Sequence, residues 1–134
     1  MEQRGRLRLL LDTHALIWWL VDLDRLSRAA HAAIADADNE VFVSAVSAIE
    51  VTTKYRLGKL PHVGLLARSF EDQVAEEGFA GLPITVRHGQ LAGSMSIQHK
   101  DPFDRLLMAQ AISENFMLIS NEQVFEAAGV KRLW

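Results

Sequence analysis

Four stretches of this chain carry acids that a fold could gather at one place. They are LLLDTHALIWWL with Asp12, SAVSAIEVTTKYRLGKL with Glu50, DPFDRLLMAQA with Asp101 and Asp104, and LISNEQVF with Glu122. Several carboxylates at one cleft suit a hard divalent cation, because Mg²⁺ and Mn²⁺ prefer oxygen ligands and Mg²⁺ shares a few carboxylates with its own waters and a phosphate substrate. Such an ion activates water, polarises a phosphoryl oxygen and stabilises a leaving oxygen; two ions roughly 3.5–4 Å apart divide those tasks. Without a cation, like charges at that spacing repel, and at least one acid titrates high.

Each acid also has a plainer reading. Asp101 suits the N-cap of a helix, with Pro102 as its first residue and Asp104 as an acid in its first turn. Residues three apart share a helical face, so Asp101 and Asp104 can address one cleft even if one of them serves as cap. Asp12 either caps the helix that follows it or, if Thr13 caps instead, points into a cleft. Glu50 is expected at the edge of the helical face traced by Val46, Ile49, Thr53 and Leu57. There its carboxylate either snorkels to water or needs a partner or metal. Glu122 is either a first-turn acid or the last member of the cluster. A histidine base is the rival chemistry; His14, His88 and His99 are available, but no two of them are suggestively spaced.

The elements that must position these residues follow from periodicity and punctuation. A chain of 134 residues fits one domain, residues 1–134, and 49% apolar with 23% charged residues is ordinary globular composition. The absence of cysteine excludes disulfides and thiolate metal sites and suits a cytoplasmic protein. Basic residues precede an apolar N-terminal stretch, but Asp12 and His14 interrupt it and it is too short to span a bilayer, so no membrane association is expected. A net charge of −3 argues against non-specific coating of nucleic acid, although Arg4, Arg6 and Arg8, and Lys54, Arg56 and Lys59, form local basic clusters.

Strands are expected at LRLLLD, EVFVSA, GLPIT, FMLIS and VKRLW. Helices are expected at THALIWWLV, from Ser27 to about Asp38, from Ala45 to Leu57, through Leu66, Phe70 and Val74 to Gly78, from about Arg87 to Ser96, from Asp101 to Glu114, and briefly near Gln123–Ala128. This alternation predicts crossover connections and an α/β fold, a three-layer α/β/α sandwich with a central parallel sheet. Ligands in such sheets bind beyond the carboxyl ends of the strands.

In order and spacing, LLLDTHALIWWL, VSAVSAIEVTTKYRLGKL and HKDPFDRLLMAQA resemble the PIN-domain ribonucleases, and within them the VapC-type toxins of bacterial toxin–antitoxin pairs. The resemblance extends over nearly the whole chain. It implies a PIN-like fold and an endoribonuclease using one or two Mg²⁺ or Mn²⁺ ions. Its acids carry over to Asp12, Glu50 and Asp104, with Asp101 as a supporting or capping residue. Where the family has threonine or serine, one residue, then aspartate, this chain has Ser120-Asn121-Glu122. Glu122 therefore stands where aspartate is expected, and Asn121 is the substitute candidate. The resemblance also implies a cognate VapB-type antitoxin, an RNA substrate and a homodimer.

On this reading Asp12, Glu50 and Asp104 are catalytic metal ligands and Glu122 completes the ring. Thr13, Ser44 and Ser47 orient carboxylates or waters unless they serve as caps. Lys54, Arg56, Lys59 and Arg105 are the bases placed nearest the RNA backbone. Two rivals remain. A phosphorylated receiver-like switch needs an aspartate where EVFVSA ends in Ser44. A non-catalytic or decayed PIN-like module would bind RNA or protein without cleaving.

Overall fold

The computed structural model describes residues 6–134; Arg4 lies outside them. Its sheet has five parallel strands: β1 (Arg8–Leu11), β2 (Glu40–Ser44), β3 (Ala80–Leu82), β4 (Met117–Ile119) and β5 (Lys131–Leu133). They lie in the order β3-β2-β1-β4-β5. Seven helices pack around the sheet: α1 (Thr13–Val21), α2 (Arg28–Ala35), α3 (Ala45–Arg56), α4 (Gly64–Arg68), α5 (Phe70–Glu76), α6 (Val86–Ser94) and α7 (Pro102–Glu114). The expected three-layer α/β/α sandwich with a parallel sheet is the observed architecture.

β1 shows why the fold forms. Leu9, Leu10 and Leu11 have no exposed surface. Leu9 and Leu11 enter one core with Leu16, Ile34, Val51 and Val74, while Leu10 enters the other with Leu107, Met108, Phe116 and Leu118. A strand buried on both faces reads as an unbroken apolar run, and each buried leucine contributes about 1.5–3 kcal/mol. The chain passes from β1 to β2 on one side, while β4 lies against the other. The gap between β1 and β4 is thus the topological switch point, where the carboxyl ends leave a crevice. Asp12 sits at its lip, its N–H bonded to the Ile119 carbonyl at 3.1 Å.

Several element boundaries differ from expectation. α2 stops at Ala35, because the Asp36 carboxylate accepts the Asp38 N–H at 2.9 Å and turns the chain. The single helix expected through Leu66, Phe70 and Val74 is two, α4 and α5, broken at Ser69, whose backbone is non-helical (φ −138°, ψ 44°). β3 begins at Ala80 and ends before Pro83, on the sheet margin where that proline leaves no ladder bond unmade. The segment Gln123–Ala128 is a 3-10 helix. α3 ends as its sequence suggests, with Gly58 following at φ +77°, a conformation that glycine adopts without strain.

Of the basic residues near the N-terminus, Arg8 lies away from the carboxyl edge. Arg8 opens β1 at the opposite end of the sheet, its guanidinium 4.3 Å from the Phe116 ring centre and donating to the Glu114 carbonyl. Among the described residues no helix is long and apolar enough to cross a membrane.

Candidate active site

The acids meet at the carboxyl edge of the sheet. Asp12, Glu50, Asp101, Asp104 and Glu122 line one pocket of about 180 Å³ together with Thr13, His14, Lys54 and Leu107. They arrive from four directions: the β1–α1 junction, the middle of α3, the start of α7 and the loop after β4. A larger hollow of about 500 Å³, between α3, α5 and β3, is walled mainly by apolar side chains such as Phe70, Val74 and Leu82, so size does not pick out the chemistry here.

Asp12 does two jobs. One oxygen accepts the Ala15 N–H at 2.8 Å, so Asp12, not Thr13, caps α1. It is only 4% exposed, and burial pushes its carboxyl up to about 6 from an ordinary 3.8. Hydrogen bonds from the Ser120 hydroxyl and the Ala15 N–H, and the nearby His14, hold it down in part, whereas the charge of Glu122 pushes it further up.

Glu50 is placed differently from its expected edge position. The buried positions of α3 are Val46, Ser47, Glu50 and Val51, while Ile49 and Leu57 are about half exposed at 46% and 55%. The inward face is therefore rotated about one residue from the apolar pattern, and Glu50 lies within it. Polar partners make that possible. Thr13 Oγ1 donates to Glu50 Oε1 at 2.6 Å and lies 2.9 Å from Ser47 Oγ, and the Lys54 ammonium donates to Glu50 Oε2. A buried carboxylate so bonded escapes most of the penalty of leaving water. Thr13 and Ser47 thus orient Glu50, whereas Ser44 caps α3 through the Val46 N–H at 2.9 Å and does not reach an acid.

Asp101 and Asp104 divide. Asp101 Oδ1 accepts the N–H groups of Phe103 at 2.8 Å and Asp104 at 3.2 Å, fixing the start of α7. Asp104 Oδ2 receives a 2.7 Å hydrogen bond from His99 Nε2. Burial raises the Asp104 carboxyl above its usual range; the His99 bond opposes this, and the charges of Asp101 and Glu122 add to it. His99 is the residue that spacing did not single out. Its signal is weak in sequence, since only the turn through Asp101 and Pro102 brings the ring back onto α7. Glu122 is exposed and lines the pocket, its N–H tied to Ser120 Oγ at 3.0 Å; Asn121 is exposed and is not among the lining residues.

Arg105, expected beside the RNA backbone, turns its guanidinium onto the chain itself. Its guanidinium donates to the carbonyls of Ala92, Ile97, His99 and Met95 at 2.8, 3.1, 2.8 and 2.6 Å. Planar, multidentate donation suits arginine to this clamp, which fastens the segment carrying His99 to α7 and leaves its donors engaged. Lys54 reaches the pocket, whereas Arg56 and Lys59 are exposed beyond it at the end of α3. His88 is internal: it accepts the Thr85 N–H at 3.0 Å and pairs with Glu114, completing the cap of α6.

The donor set fits a hard cation in kind, being carboxylate oxygen throughout, with two of its acids already pushed toward neutrality by burial. The acids line the walls rather than closing on a point: among the described residues no three side chains are gathered tightly enough to form a ready-made cage. That openness suits an ion that keeps waters and shares a phosphate.

A parallel sheet with carboxylates collected at its switch point defines an α/β protein with an acidic site at the carboxyl edge of its strands. The comparisons narrow the class. The family model described as PIN domain matches residues 9–131. Ribonuclease VapC22 of Mycobacterium tuberculosis is 32% identical over 115 residues, covering 85% of this chain and 86% of that protein. The chain belongs to the PIN domain family, among its VapC-type members. In fold it is similar to VapBC2 from Rickettsia felis, solved bound to a promoter DNA fragment (TM-score 0.69, 12% identity, 95% of this chain and 98% of that one). It is also similar to a toxin–antitoxin complex from Klebsiella pneumoniae (TM-score 0.62, 17% identity, 94% and 96%) and to FitAcB from Neisseria gonorrhoeae (TM-score 0.60, 17% identity, 94% and 96%).

Proposed function

We propose that the protein is an endoribonuclease dependent on Mg²⁺ or Mn²⁺, hydrolysing RNA phosphodiesters in the cytoplasm as the toxin of a bacterial type II toxin–antitoxin pair. The observation that carries this reading is the convergence of Asp12, Glu50, Asp104 and Glu122 on one pocket at the switch point of the sheet. Family membership and the ribonuclease relative support RNA as substrate, and the toxin–antitoxin complexes of like fold support a VapB-type partner. A homodimer belongs to the same reading.

A bound divalent ion supplies an activated water and compensates charge at the phosphoryl oxygens. The residues that would hold it are Asp12 and Asp104, with Glu50 and Glu122 near enough to the same pocket to contribute directly or through water. Thr13 and Ser47 fix the orientation of Glu50, and His99 fixes that of Asp104. Lys54 presents its ammonium to the phosphate from the wall of the pocket, and Arg56 and Lys59 meet the RNA backbone outside it.

Cleavage of RNA by the full chain, with Mg²⁺ or Mn²⁺ and then with EDTA, tests the proposal. Chelation abolishes turnover, and Asp12→Asn lowers it by at least about a hundredfold, more than the loss usual for a residue that only supports a metal ligand. Cleavage that survives EDTA refutes the metal scheme. An Asp12→Asn protein as active as the native one refutes catalysis at this pocket and leaves the binding-module reading.

A further inference from the structure

Lys54 is the one lysine or arginine among the side chains that line the acidic pocket in the described residues. It lies four positions after Glu50 on α3, so the two share a face, and its ammonium is bonded to Glu50 Oε2. The pair is not an ordinary surface bridge: the Glu50 side chain is 8% exposed and that of Lys54 33%. Glu50 is held from both sides, by Thr13 on Oε1 and by Lys54 on Oε2. A carboxylate offers about four acceptor positions, so Glu50 keeps room for a water while its charge is matched locally.

We propose that Lys54 is the pocket's second cation: its ammonium, anchored on Glu50, stands in for a second divalent ion, so the site takes one Mg²⁺ or Mn²⁺ rather than two. This rests on the metal-dependent reading above. In a two-ion site the second ion neutralises carboxylates and meets charge on the transferring phosphate. A lysine ammonium is a compact point charge on a flexible stem and can do both without leaving Glu50. Asp12, Asp104 and Glu122 then face the single ion, Glu50 reaches it through the water it has room for, and the fixed positive charge of Lys54 opposes entry of another ion beside Glu50.

Mn²⁺ binding to the full chain without RNA, followed by electron paramagnetic resonance and calorimetry, tests this with Lys54→Met, Lys54→Gln and Lys54→Arg. Circular dichroism checks that each variant is folded. Native protein and Lys54→Arg bind one equivalent. Lys54→Met and Lys54→Gln take up a second, or bind the first at least about tenfold more tightly, because one unit of positive charge beside a divalent ion has gone. Two equivalents on native protein overturn the proposal, as does binding to the charge-removing variants that matches native in number and affinity. If native protein binds no Mn²⁺ at millimolar concentration, the metal reading itself falls and this inference falls with it.

Discussion

Replacing Asp12 by asparagine should make the metal-free protein more stable, and only at neutral pH. The native carboxyl is 4% exposed and held at about 6, against an ordinary 3.8. Because the folded state holds its proton more tightly than the unfolded one, the carboxyl imposes no penalty below about pH 4. The penalty grows as pH rises from about 4 to about 6 and is constant above, where it comes to about 3 kcal/mol. Asparagine keeps the shape and an oxygen that caps Ala15 as well as aspartate does. Its amide N–H can turn to the Ser120 hydroxyl, which has acceptor capacity to spare. The whole penalty is thereby open to recovery.

The assay is thermal unfolding of both proteins in EDTA from about pH 4 to neutral. In a domain of this size each kcal/mol moves Tm by roughly 3–5 °C, so the variant should melt about 9–15 °C higher at neutral pH and within a degree or two of native near pH 4. Mg²⁺ at a hundred times its Kd then nearly cancels the advantage, since a ligand that binds only the folded native protein adds about 2.7 kcal/mol at that concentration. A Tm difference that is the same at both ends of the pH range, or a variant less stable at neutral pH, refutes the argument that burial of a charged Asp12 strains the apo site.

Other substitutions probe the remaining walls. Arg105→Ala should destabilise the protein by about 2–4 kcal/mol in urea unfolding, since several charge-assisted bonds to loop carbonyls are lost; unchanged stability with weaker RNA binding would instead return Arg105 to the substrate surface. Glu122→Ala should lower RNA cleavage by about 10–100-fold, while Asn121→Ala leaves it near native, and the opposite ranking would make Asn121 the fourth group of the pocket.

Much of this was legible because it is local. Asp101 followed by Pro102 and an acid is a helix start wherever it occurs, and the apolar run of β1 ending at Asp12 reads as a buried strand with an acid at its carboxyl edge. What escaped was decided by residues far apart in the chain. The inward face of α3 joins Val46 and Val51 to Ser47 and Glu50, and Glu50 finds there a partner in Thr13, 37 positions earlier, that no rhythm within the helix announces. The clamp of Arg105 exists only because α6 and α7 pack so that four carbonyls face one guanidinium. The break at Ser69 has no proline or glycine to announce it; the residue is ordinary, and its tertiary setting overrides its propensity.

The same groups that start helices also line the pocket, and this explains how the chain tolerates so many acids together. Asp12 caps α1 and Asp104 lies in the first turn of α7, so each sits where free N–H groups and the positive helix end favour a carboxylate. That support is worth about 0.3–1 kcal/mol per acid, up to roughly 2 when partly buried. It does not suffice: with the Ala15 N–H and the Ser120 hydroxyl both bonded to it, Asp12 still stands near 6. The pocket is therefore short of positive charge by construction, and Lys54 answers only for Glu50. On the proposed function, the stability given up by burying carboxylates beyond what the helices and lysine balance becomes the driving force that retains a cation in the pocket.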